Sequence, residues 1–217
     1  MAEQQQPKTR KRWGLQALLI GLVIAAAGGK LWWSYKFPYG YSHSCSAGLG
    51  IDLRQYAEEH SGWFPYGEAT PEASLSLVRT TDPAAVRWWM RGKHLPQSVV
   101  DQAIARDGVL SPETCGWHYI EGLREDDNPG TAIAWDKVTG LGHNGERRPG
   151  LAHEVVFLDC SHQYIFTQEW PGFAATQKLF LAEVIAKRSS NDPPIRWSDE
   201  STFGPNRFSP RTISKTK

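Results

Sequence analysis

GLGIDLRQYAEEHSGWFP, residues 48–65, is the stretch on which the reading of this chain turns. With Cys45 just before it, the apolar residues Leu49, Leu53, Tyr56 and Ala57 recur at three- and four-residue spacing and line one face of an α-helix. Asp52, Arg54, Gln55, Glu58 and Glu59 turn elsewhere, and Gly62 and Pro65 end the element. A one-sided helix needs a surface to pack on. The chain has to supply that surface downstream, because what lies upstream suits lipid better than protein.

Upstream, residues 13–33 read WGLQALLIGLVIAAAGGKLWW, with only Gln16 and Lys30 as clearly polar members. A helix of this length rises roughly 30 Å, enough to cross the hydrocarbon core of a bilayer. Trp13 at one end and Trp32–Trp33 at the other suit the two interfaces, and Lys30 is near enough to the end to snorkel outward. Lys8, Arg10, Lys11 and Arg12 make residues 1–12 a basic tail, which the positive-inside rule places in the cytoplasm. The expected location is therefore a bacterial cytoplasmic membrane, crossed once, with the remaining chain periplasmic or otherwise extracytoplasmic. A cleaved signal peptide fits the same residues, with an apolar core from Leu15 to Ile24 followed by Ala25-Ala26-Ala27.

Downstream, Pro38 and Gly40 interrupt the helix leaving the membrane. Residues 66–110 read as short helical pieces, with Thr70-Pro71 and Asp82-Pro83 as cap and first-turn pairs, Asp107-Gly108 as a stop, and Trp88–Trp89 packing the pieces onto something larger. Four short aromatic and β-branched runs follow at 116–123, 131–137, 153–159 and 162–168, which predict three or four antiparallel strands. The last two form a hairpin around Asp159-Cys160-Ser161. Residues 171–188 return to helical spacing, and residues 191–217 are polar and aperiodic, so a disordered tail is expected there. The fold class is α+β.

Two separated stretches together resemble bacterial type IV pilin-like and type II secretion pseudopilin-like proteins. After the membrane helix, Cys45 is followed by Leu49, Leu53, Tyr56, Gly62, Phe64 and Pro65 in the places of that group's helix end. Towards the C-terminus, Cys115, Tyr119, Gly122, Leu123, Asp136, His143, Val155, Phe157 and Asp159 follow its cysteine, its Y-x-x-G-L strand and its H-x9-D-G ending in order, the last in degenerate form. The resemblance covers about half the chain. It implies a stalk helix packed on a small antiparallel sheet, with residues 34–190 as the domain and 66–110 as a helical insertion. It also implies a structural or interaction role related to secretion or surface-filament systems, with protein partners in such an assembly. A membrane-tethered binding module that no longer assembles is the alternative, and an extracytoplasmic hydrolase comes last. The sequence departs from the group at three places. Leu19 stands five residues beyond Gly14, where prepilins carry a glutamate, ERRPGLA widens the loop after His143, and Cys160 replaces the glycine of the D-G turn. A positive φ at Cys160 costs on the order of 1 kcal/mol, unless the hairpin uses another turn.

The three cysteines allow one bridge and one odd thiol. Cys45 and Cys115 occupy positions where the resembled group has cysteines, which suggests a bridge between them; two free thiols, or pairing of Cys160 with either, remain open. His143, His153, Asp159, Cys160 and His162 are residue types that bind zinc, but their spacing matches no zinc pattern. Glu125, Asp126, Asp127 and Asn128 share one loop whose oxygen atoms suit calcium, with a solvated acidic turn as the other reading. There is no nucleophile elbow, H-E-x-x-H, phosphate-cradling glycine loop or CxxC. No enzymatic activity and no cofactor are expected, and a net charge of +1 provides no basis for nucleic-acid binding.

Overall fold

The computed structural model describes residues 9–42, 46–81 and 89–205, with side chains from residue 13 onward. Cys45, the Asp82-Pro83 pair and Trp88 lie outside the described residues. The first element is α1, Thr9–Lys36, whose side chains from Trp13 to Tyr35 are all exposed. A helix apolar on every side has no face to turn to water. Its segment Trp13–Lys36 is long and apolar enough to cross a membrane.

Helix α2, Ser46–Glu59, buries Leu49, Leu53, Tyr56 and Ala57, the stripe its spacing predicts. It packs on strands β3, Leu151–Phe157, and β4, His162–Phe166. Two glycines let the partners approach. A Cβ on Gly48 would meet the Trp89 ring at 2.5 Å, and one on Gly50 would meet the Cys160 carbonyl oxygen at 3.0 Å. The helix ends as Gly62, at φ 81°, donates its N–H to the Ala57 carbonyl at 2.8 Å, a left-handed C-terminal cap. Phe64 and Glu125 then donate to the Leu123 and Gly62 carbonyls at 3.1 and 2.9 Å, which ties the helix end to the chain leaving β1.

The sheet is antiparallel throughout, in the order β4-β3-β2-β1-β5, with β1 at Trp117–Glu121, β2 at Ala132–Asp136 and β5 at Arg196–Trp197. Four strands fall on the four predicted runs. Every residue of β2 is buried, because both faces of the sheet are covered. On one face lie α2, α3 (Pro71–Leu75) and the segment around Trp89–Lys93, shown by Ser74 on Glu121, Trp117 Nε1 on the Trp89 carbonyl and Lys93 on Asp136. On the other lie α5, Trp170–Lys187, and α6, Glu200–Phe203, with Phe157 on Phe173 and Trp135 on Phe203.

Between residues 66 and 110 stand α3, the 3-10 turn Ser76–Thr80 and α4, Gln97–Asp107. Thr70 caps α3 by accepting from the Ala73 N–H, and Gly108, at φ 72°, closes α4 as expected. Leu75, Val78, Met90, Val100 and Leu110 from this segment sit in the same hydrophobic cluster as Leu49, Trp117 and Trp135. The segment is therefore part of the core and not an appendage to it.

The expectation of a disordered tail from residue 191 needs correcting. β5 pairs with β1, Ile195 is buried, Ser198 donates its N–H to the Tyr119 carbonyl, and Asp199 accepts from Trp135 Nε1 at 3.2 Å. A strand of two residues leaves no periodicity to read. Its Arg196 looks like a solvent residue in sequence, yet it pairs with buried Glu121. Residues 206–217 lie outside the described residues.

The β3–β4 hairpin settles the question at Cys160. Cys160 donates its N–H to the Phe157 carbonyl, Phe157 donates to Ser161, and Cys160 has φ 65°. This is the three-residue turn in which a left-handed residue, usually glycine, closes a bulge. The turn type is kept and a cysteine bears the strain.

Candidate functional site

The residues that carry the family resemblance do not gather at one point. Leu49, Leu53, Tyr56, Phe64, Leu123 and Val155 are core, and Phe157 packs edge-on to Phe173. Tyr119 is wholly buried and donates its hydroxyl to the Pro65 carbonyl at 3.0 Å. Gly122 has φ 79°, and a Cβ there would meet the Pro194 carbonyl oxygen at 2.6 Å, so its role is backbone contact with the segment leading into β5. His143 lies in the loop before β3 and Asp159 in the turn after it, so a whole strand separates them.

Two of these positions, Phe64 and Asp159, line a cleft. It measures about 250 Å³ and is lined by Arg54 and Ala57 of α2, Phe64, Glu125 and Pro129 from the acidic loop, and Leu158 and Asp159 from the hairpin turn. Its floor is apolar and its rim carries one guanidinium and two carboxylates, with Asp159 also accepting from the Ser161 N–H. Such a mixed rim over an apolar floor suits a peptide or protein contact better than a small apolar ligand.

The acidic loop does not assemble a calcium site. Asp127 pairs with Arg188 and accepts from the Arg124 N–H at 2.8 Å, Asp126 lies 3.3 Å from Arg124, and the Asn128 side chain accepts from Gly130. Glu125 turns towards Gly62. Asp126, Asp127 and Asn128 are thus engaged by protein partners. Among the described residues no group of three or more His, Cys, Asp or Glu is placed to hold a metal ion.

Neither described thiol is activated. Burial pushes Cys115 up to about 12, and burial also raises the half-buried Cys160. Both are free cysteines, and the bridge from Cys45 to Cys115 concerns a residue outside the described set. His118 brings Ser198 and Asp199 into one neighbourhood, but the three do not form a catalytic relay. Ser198 Oγ accepts from the Tyr119 N–H at 2.8 Å, and Asp199 caps α6 by accepting from Thr202 at 3.0 Å. Burial lowers His118 to about 4, so its ring is neutral near pH 7.

The densest polar chemistry is buried and was invisible to spacing. Lys93 has no accessible surface, and its Nζ lies 2.8 Å from Asp136 Oδ2 and 2.8 Å from Glu154 Oε2, and donates to the Leu141 carbonyl at 3.2 Å. Asp136 and Glu154 are each 1% exposed. Ser46, the first residue of α2, donates to Glu154 Oε1, and the Tyr164 ring lies 4.9 Å from Nζ. Burial, then the Glu154 carboxylate, raises the Tyr164 hydroxyl. His153 Nδ1 faces the Asp136 carbonyl at 2.6 Å and Oδ1 at 3.1 Å, and the Glu154 N–H donates to that same Oδ1 at 3.1 Å. Asp136 was legible as a motif position. Lys93 and Glu154 were not, since a lone lysine in a turn-rich stretch and an acidic residue in a strand both read as solvent-facing.

The junction between α1 and the rest of the chain is equally specific. Phe37 is buried, Arg147 donates its N–H to the Lys36 carbonyl at 2.7 Å, and the Arg147 guanidinium lies 5.2 Å from the Tyr35 ring. Ser42 donates its N–H to the Asn144 carbonyl at 3.0 Å and its hydroxyl to the Gly92 carbonyl at 3.1 Å. No protein family, curated protein or solved structure was found to match the chain.

Proposed function

We propose that the chain is a single-pass, membrane-anchored protein of pilin-like layout, with a structural or interaction role outside the cytoplasm. The observation that carries this reading is α1: a helix exposed along its whole apolar length, whose last carbonyl is bonded directly to the folded domain through Arg147. Lys8, Arg10, Lys11 and Arg12, before the apolar span, favour the cytoplasmic side for the N-terminus. The charged-rimmed cleft beside α2 is the contact surface for a protein partner.

Between a filament subunit and a tether that presents a binding domain, two observations favour the tether. Leu19 stands where assembly would use a glutamate, and the non-helical residues Phe37–Ser42 separate α1 from α2, so anchor and stalk helix are not one continuous rod. The test is fractionation of expressing cells, with N-terminal sequencing and chemical cross-linking of the recovered protein. A full-length chain that resists carbonate extraction and gives no homopolymer ladder is expected. A soluble product starting near Gly28 would remove the anchor, and a trimmed, membrane-bound product with a ladder would restore filament assembly.

A further inference from the structure

Lys93, Asp136 and Glu154 are set out as reactants as well as ion-pair partners, and we propose that they form an intramolecular amide between Lys93 Nζ and Asp136 Cγ, with Glu154 as the proton-transfer group. The inference stands apart from the functional reading above, since it concerns the interior of the domain and not its partners.

Three observations support it. The Lys93 amine is 2.8 Å from Asp136 Oδ2, one atom away from the carboxyl carbon, and both groups are closed off from water. Holding two reactants in contact in this way removes most of the entropic barrier of a bimolecular condensation. The carboxyl of Asp136 is polarised on its other side. Its Oδ1 faces His153 Nδ1 and the Glu154 N–H, each at 3.1 Å. Both neighbours of His153 Nδ1 are acceptor oxygens of Asp136, which places the ring proton on that nitrogen and makes it a donor. Two N–H groups aimed at one oxygen are the arrangement that stabilises the negative charge of a tetrahedral intermediate. Glu154 Oε2 lies 2.8 Å from the attacking nitrogen, and Ser46 holds its other oxygen in place.

The step balances without any co-reactant. A proton passes from the Lys93 ammonium to the Asp136 carboxylate. The Nζ lone pair attacks Cγ, and Glu154 takes one proton from the nitrogen and returns it to Oδ2, which leaves as water. One C–N bond forms, one C–O bond breaks, and no atom changes oxidation state. Asp136 is the acyl partner because its Oδ1 has two N–H donors, whereas the Glu154 carboxyl faces the hydroxyls of Ser46 and Tyr164.

The test is peptide mapping by tandem mass spectrometry of the full chain, purified in detergent, alongside Glu154→Gln, which keeps the shape of the side chain. The expected result is a branched peptide joining the Lys93 and Asp136 segments, lighter than the two linear peptides by one water, and its loss in Glu154→Gln. Asp136→Asn provides a second readout. It would release ammonia in place of water and converge on the wild-type product, so two chains of different sequence would yield the same branched peptide. Folded wild type with both segments linear at full mass overturns the proposal. So does a water loss that maps elsewhere, such as to a succinimide at Asp107-Gly108, and a branch that persists undiminished in Glu154→Gln removes Glu154 from the step.

Discussion

Leu22, midway along α1, is more than half exposed, whereas Lys93, beside β2, has no accessible surface. The N-terminal helix turns its apolar side chains outward on every side, and the domain encloses the Lys93 amine with two acidic side chains. Each arrangement would be unfavourable in the other's place. In the domain the usual rule holds for apolar residues, and the buried charges are tolerated because every one faces an opposite charge or a hydrogen-bond partner. In α1 the rule is reversed, which fits a helix long and apolar enough to cross a membrane.

The sharpest way to break this comparison is to remove the charge that the domain hides. Lys93→Met leaves Asp136 and Glu154 facing one another with no amine between them, so the ion pairs and the amide proposed above are both lost, and a loss of at least about 3–5 kcal/mol in unfolding free energy is expected, read by urea denaturation of the full chain in detergent. Near-normal stability would mean that water or a shifted backbone reaches the site. The converse change adds a charge where α1 has none. Leu22→Arg costs about 2.5–3.5 kcal/mol for insertion at the centre of a membrane helix, so the carbonate-resistant fraction is expected to fall sharply. An unchanged fraction would show that this helix does not depend on lipid.

A third measurement sharpens the account of the interior. His118 is lowered to about 4 in the folded domain by burial, against about 6.5 in an unfolded chain. The unfolded state therefore binds the extra proton first as pH falls. The contribution of His118 is fully present above about pH 6.5 and is lost progressively down to about pH 4, amounting to no more than about 3 kcal/mol. His118→Gln is expected to flatten stability against pH across that window. An unaltered slope would place the titration on other groups.

The elements that sequence reading located were those with a repeating physical signal. The stripe of Leu49, Leu53, Tyr56 and Ala57 marks α2, and apolar runs mark four strands, because periodicity reports which side faces the core. The features it missed depend on pairing across distance. β5 is held by two residues against β1, and Lys93 meets Asp136 and Glu154 from positions 43 and 61 residues away. No local spacing encodes such a meeting, and a buried charge looks in sequence like any surface charge. In the acidic loop, likewise, the sequence shows the carboxylates but not the Arg188 and Arg124 that engage two of them.

The bond from Arg147 to the Lys36 carbonyl, with Phe37–Ser42 laid against the domain, has a consequence for how a partner is met. With α1 in a bilayer, the domain has no slack with which to search the space above the membrane, as it would on a long flexible linker. Its encounters are confined to a layer no thicker than the domain itself. Partners sharing the same membrane meet it by lateral diffusion at a raised effective concentration, while soluble ones must come down to the surface.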